Sequence, residues 1–183
     1  MNFEEKTISR KHIYQGNVIT VENLKVELPD GREAFRDLVL HPGASVIVPL
    51  NENGELYIVK QYRKPIEKVS LEIPAGKLDN GEDPRVCAER ELKEETGLSA
   101  GKLEHMFSVH STPGFCNEVL HFYLATELTE GTSCADEDEF ITSEKMPVSR
   151  LADMVMAGEI TDAKTIIGVL MAERIIRSKG LRY

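Results

Sequence analysis

The sequence is short of cysteine, of positive charge and of long apolar runs, and each shortage excludes something. Cys87, Cys116 and Cys134 are odd in number and fit no metal-ligand spacing. Reduced thiols in a cytoplasmic protein are therefore expected rather than a disulfide framework. No apolar run approaches the ~20 residues of a membrane span, and Met1-Asn2-Phe3-Glu4-Glu5-Lys6 lacks the basic-then-apolar layout of a secretory signal. Lys and Arg number 22 against 31 Asp and Glu, a net charge of −9. Nucleic acid and anionic membranes both recruit clustered Lys and Arg, so neither is an expected partner. A small anionic substrate stays open, provided divalent cations or local arginines offset the repulsion.

What is present suits one soluble domain. A chain of 183 residues can bury a core without staples, and 41% apolar with 29% charged residues is ordinary for a globular fold. From Thr7 to about His41 the signals are strand signals: Leu24, Val26 and Leu28 alternate with Lys25 and Glu27, Pro29-Asp30-Gly31 turns the chain, and Ala34 to Leu40 runs back. That pattern predicts a hairpin, which is marginal alone and must lie on something larger. His41-Pro42-Gly43 suggests a boundary, giving an N-terminal β region over 1–42 and a main domain over 43–183. The main domain opens with a buried-strand pattern, Ala44 to Leu50, and returns over Leu56 to Arg63. After Ser70 to Pro74, Gly76 and Gly81 predict irregular chain. Asp83-Pro84 reads as an N-cap followed by proline at the first helical position, and Gly97 as the stop, so a helix is expected over Pro84 to Thr96. Leu103 to His110 and Val119 to Thr126 read as strands. Gly131 to Glu139 reads as an acidic loop followed by the strand-like Phe140-Ile141. Asp162 can cap a last helix with an apolar stripe of Ala163, Ile166, Ile167, Leu170 and Met171, ended by Gly180. Strands and helices interleave, so the class is α/β or α+β, with a mixed sheet between helices. Neither G-x-G-x-x-G nor G-x-x-x-x-G-K-[ST] occurs, which argues against both nucleotide folds built on them.

The informative stretch is Gly76 to Leu98, GKLDNGEDPRVCAERELKEETGL. On a helix, Glu91, Glu94 and Glu95 share one face, while Ala88 and Leu92 share an adjacent one that can bury. Hard cations such as Mg²⁺ take oxygen ligands, one or two carboxylates plus substrate phosphates. A bare E-x-x-E-E triple is as a rule a solvated face, and the residues around it reverse that reading. Gly76, Glu82, Arg90, Glu91, Leu92, Glu94, Glu95, Gly97 and Leu98 fit G-x5-E-x7-R-E-U-x-E-E-x-G-U at every fixed position, U being a bulky aliphatic.

This pattern resembles the Nudix hydrolase signature. The resemblance implies an α/β/α sandwich with a mixed sheet, preceded here by the small N-terminal antiparallel sheet. It implies metal-assisted hydrolysis of a nucleoside diphosphate linked to another moiety. Carried over by position, Glu91, Glu94, Glu95 and the Ala75 carbonyl become metal ligands for Mg²⁺, with Mn²⁺ or Zn²⁺ as alternatives, and Glu82 pairs with Arg90. Outside the box, Thr112-Pro113-Gly114, the Leu71 to Gly76 run and Gln61-Tyr62-Arg63 resemble the ADP-ribose pyrophosphatase subgroup, whose usual tripeptide has serine where Thr112 stands. On that resemblance Arg63 and the Lys77 backbone serve the diphosphate side, and Thr112, Pro113, Gly114 and Glu118 the terminal or adenosine ribose. Arg36, Asp37 and His41 match positions that reach a partner subunit's substrate, which implies a homodimer. The resemblance also puts the general base on the acidic loop, at Glu137 or Glu139, because occupied metal ligands are poor proton acceptors. The competing expectations are a pyrophosphatase for another nucleotide sugar such as GDP-mannose, a non-catalytic ligand sensor on the same fold, and a structural protein with an acidic helix.

Overall fold

The computed structural model describes residues 2–132 and 140–178. Three strands open the chain: β1 (Lys6–Gln15), β2 (Thr20–Glu27) and β3 (Glu33–Leu40). They form one antiparallel sheet in that order. The expected hairpin is β2–β3, with Gly31 in the left-handed conformation at the turn. The strand signals that begin at Thr7 correspond to β1, whose pairing with β2 carries irregularities at Thr7/Ser9 and His12/Tyr14.

The remaining elements are β4 (Ala44–Pro49), β5 (Glu55–Arg63), β6 (Lys68–Glu72), β7 (Ala75–Lys77), α1 (Pro84–Thr96), β8 (Leu98–His110), β9 (Val119–Glu130), β10 (Thr142–Pro147), α2 (Val148–Met156) and α3 (Ala163–Ser178). They build a sheet in the order β7-β4-β9-β8 and a second in the order β10-β5-β6. The expected α/β class, with a small antiparallel sheet ahead of it, is what the chain forms. By packing, the described chain divides into two units, one of residues 2–43 with 109–120 and the other of 44–108 with 121–178.

In the first unit, residues 112–117 are stitched to the end of β3 mainly by backbone. Val39 N donates to Phe115 O at 2.7 Å and Asn117 N to Val39 O at 3.2 Å. His41 N donates to the Asn117 side chain at 2.7 Å. The tripeptide Thr112-Pro113-Gly114, 71 positions or more beyond the hairpin in sequence, thereby joins it in one unit.

In the second unit, α1 begins and ends where its capping residues dictate. The Asp83 side chain accepts from Arg85 N at 2.8 Å, Pro84 follows, and Gly97 closes the helix at φ 74°. Ala88 and Leu92 bury with Ile47, Tyr57, Leu98, Leu103, Tyr123 and Ala125. Four details depart from the sequence reading. Part of the Gly76–Gly81 stretch is ordered, since Ala75–Lys77 pairs with β4. Phe140 and Ile141 lie ahead of the strand rather than in it, and β10 starts at Thr142. Helix α2 was not signalled: it is short, and its N-cap is Pro147 with no side-chain cap. Helix α3 buries Thr165, Gly168, Val169, Ala172 and Ile176 rather than the bulky stripe, and Leu170 is exposed. The reason is proximity. A Cβ on Gly168 would lie 2.4 Å from Ile73 Cδ1 and 3.3 Å from Val48 Cγ2, so at that position the inner face has room for glycine only.

Candidate active site

Helix α1 and strand β7 bring the box together. Arg90 lies at its centre and forks onto Glu82, Nε to Oε1 and Nη2 to Oε2, both at 3.0 Å. Its Nη1 donates to Glu91 at 2.7 Å and Glu94 at 2.9 Å. These contacts hold Glu82 well below the usual carboxylate range, at about 2, chiefly through the Arg90 hydrogen bonds. One arginine thus offsets the mutual repulsion of the acidic face. Glu95 is buried, and its carboxylate accepts from Ala75 N at 3.1 Å. The Glu91 carboxylate presses on Gly76, where a Cβ would stand 1.8 Å from it. Cys87 is buried beneath the box, and burial pushes its thiol up to about 11, so it is no nucleophile at neutral pH.

Beside the box a second charged group converges on Glu72, which is 2% exposed. Arg63 donates Nε to Oε1 at 2.9 Å and Nη2 to Oε2 at 2.6 Å. Lys164 Nζ donates to the same Oε2 and, at 3.0 Å, to Asp162. Burial alone would raise the Glu72 pKa, but the Arg63 hydrogen bonds and the Lys164 charge outweigh it and hold it at about 2. The other Asp162 oxygen accepts from the Thr165 amide and hydroxyl, and Ile73 N donates to that hydroxyl at 2.9 Å. The chain leading into Ala75 is thus tied to the front of α3. Sequence reasoning missed Lys164 and Asp162 as members of this group, since 92 positions separate Lys164 from Glu72 and no motif links them.

In the first unit, Arg36, Asp37, Pro113 and Gly114 line one cavity of about 400 Å³ together with His110 and Asn117. Arg36 is held by Glu5 at 2.6 Å, and Asp37 accepts from Asn23 at 2.9 Å. The His41 Nδ1 lies 3.0 Å from Gly43 N, which donates to it, and 3.4 Å from Glu118. Thr112 O accepts from Cys116 N at 3.0 Å and closes the turn. The predicted base positions, Glu137 and Glu139, lie outside the described residues.

Comparison with known proteins decides the family. The NUDIX domain model matches residues 39–166. The chain belongs to the NUDIX family. It is 42% identical over 169 residues to a methanol dehydrogenase activator of Bacillus methanolicus, covering 91% of each chain. It is 41% identical over 170 residues to an ADP-ribose pyrophosphatase of Bacillus subtilis (strain 168), covering 92% of each. A crystal structure of an ADP compounds hydrolase superposes with TM-score 0.87 over the whole of both chains at 20% identity, which shows a shared fold. The resemblance read from the box, and its leaning towards the ADP-ribose pyrophosphatases, is thereby borne out.

The NUDIX box here offers donors suited to a hard divalent cation. Glu91, Glu94, Glu95 and the Ala75 carbonyl are all oxygen, the type Mg²⁺ prefers, and the missing Cβ of Gly76 leaves the Glu91 carboxylate its place. Among the described residues no group of three or more His, Cys, Asp or Glu side chains stands placed to hold a metal ion, and Arg90 holds the Glu91 and Glu94 carboxylates. No helix among the described residues is long and apolar enough to cross a membrane.

Proposed function

We propose that this protein hydrolyses the diphosphate of ADP-ribose to AMP and ribose 5-phosphate with Mg²⁺. The observation that carries the reading is the box geometry, with Glu91 and Glu95 packed on the Ala75-Gly76 backbone, in a chain so similar to an ADP-ribose pyrophosphatase. Ala75, Glu91, Glu94 and Glu95 would hold divalent cations, with Mn²⁺ and Zn²⁺ as alternatives to Mg²⁺. Such cations supply charge neutralisation at the diphosphate and a lowered pKa for attacking water. Arg63 presents a fork that matches phosphate oxygens, and Lys77 serves the same side. Thr112, Pro113, Gly114 and Glu118 take the ribose. The base is Glu137 or Glu139, whose carboxylate accepts the proton of the attacking water.

The proposed assembly is a homodimer in which Arg36, Asp37 and His41 reach the partner's substrate. Supporting it, Phe3, Ile8, Ile13, Tyr14 and Phe35 of the N-terminal sheet region are all exposed, Phe3 at 78%, apolar surface that a second copy could cover. Light scattering at micromolar concentration should give a dimer mass. A species of only 20.5 kDa would exclude the shared site.

A phosphatase-coupled panel of ADP-ribose, GDP-mannose, NADH and UDP-glucose with Mg²⁺ tests the activity. ADP-ribose should turn over fastest, and Glu95→Gln should lower turnover by orders of magnitude. GDP-mannose as the best substrate would select the alternative pyrophosphatase, and no turnover of any compound would sink the hydrolase reading. The methanol dehydrogenase activator favours a second reading, tested by whether the protein stimulates a methanol dehydrogenase in a coupled assay.

A further inference from the structure

Arg63 is the proposed diphosphate contact, yet one edge of its guanidinium, Nε and Nη2, is bonded to Glu72. Releasing Arg63 towards a substrate would strand a carboxylate that is only 2% exposed. An unpaired buried charge is among the costlier defects a protein can carry. Lys164 removes the difficulty. Its ammonium already shares Glu72 Oε2 with Arg63, and Asp162 holds it from the other side at 3.0 Å. Asp162 is itself fixed by the Thr165 amide and hydroxyl, so the ammonium has little reason to leave. The two cations differ in freedom: the Lys164 side chain is 14% exposed and the Arg63 side chain 41%.

We propose that Lys164 is a positioning residue that keeps Glu72 neutralised whichever way Arg63 points, freeing Arg63 to exchange Glu72 for the substrate diphosphate. The proposal rests on Arg63 touching that diphosphate. Without Lys164, Glu72 would depend on Arg63 alone, and substrate would have to compete for it. The loss falls on binding rather than on the chemical step, because the bonds of Lys164 go to Glu72 and Asp162 and not to the box carboxylates.

Steady-state kinetics on full-length protein with ADP-ribose and saturating Mg²⁺ test this. Lys164→Met should raise KM about tenfold, the size of one charged hydrogen bond in affinity, with kcat changed less than about threefold, and Lys164→Arg should restore KM. In an Arg63→Ala background, Lys164→Met should add nothing further to KM. An unchanged KM in Arg63→Ala itself would overturn the reading of Arg63, and this proposal with it. A raised KM in Arg63→Ala with no effect of Lys164→Met, or with an equal effect in both backgrounds, would overturn the role of Lys164 alone. Should Lys164→Met fail to fold, Glu72→Gln combined with Lys164→Met decides. A neutral amide needs no counter-charge, so KM should return to within threefold of wild type, and a KM still raised tenfold would overturn the proposal.

Discussion

The Glu91 carboxylate occupies the space where a side chain on Gly76 would begin, a built Cβ lying 1.8 Å from both its carbon and Oε1. Gly76 has an ordinary backbone conformation, so what it supplies is room. Gly76→Ala would push the Glu91 side chain aside, a cheap move for a flexible carboxylate but one that takes a proposed ligand from its place. Thermal unfolding should therefore shift by only a few degrees, while the Mg²⁺ concentration for half-maximal activity rises about tenfold or more. A large fall in melting temperature with unchanged Mg²⁺ dependence would contradict this.

Acid should unfold the protein partly through Glu72. Its carboxyl is held at about 2 against an ordinary 4.5. A depressed carboxylate contributes stability that is complete above the unfolded value and is lost as pH falls through the folded one. The window therefore runs from about pH 4.5 down to about pH 2, with about 3 kcal/mol at stake. Urea midpoints followed from pH 7 to 3 should fall through that window, and Glu72→Gln should flatten the fall.

Gly168→Ala sets two effects against each other. Alanine favours a helix over glycine by about 1 kcal/mol, whereas overpacking a filled core costs about 1–3 kcal/mol. Ile73 and Val48 are both fully buried, so the new methyl has nowhere to go. The variant should be less stable by up to about 2 kcal/mol in chemical denaturation, and a stabilised variant would show that Ile73 can repack.

Glu137→Gln or Glu139→Gln should lower kcat about 100-fold or more with KM little changed, the range for removing a general base. Near-normal kcat in both single variants would place the base elsewhere.

Helix α1 was legible to the residue because its signals are local: Asp83 and Pro84 start it, and Gly97 stops it. The box was equally legible, since its spacing maps directly onto one helix face. Helix α2 escaped because nothing in Pro147 caps it. The inner face of α3 was misread because bulk predicts burial only where neighbours leave room, and Ile73 leaves none at Gly168. The Lys164–Glu72 pair escaped for another reason: it is set by tertiary approach and leaves no periodicity behind.

The turn at 112–117 is fastened to β3 largely through main-chain atoms, by the amide and carbonyl of Val39. Peptide groups are common to every residue, so this fastening places little demand on the identity of Pro113, Gly114 or Phe115. Anchorage and display are thereby separated. Mutation can rewrite the side chains the turn displays while its seat on the strand persists, which, on the proposed ribose contact, makes this segment a sound choice for randomisation when substrate preference is to be changed.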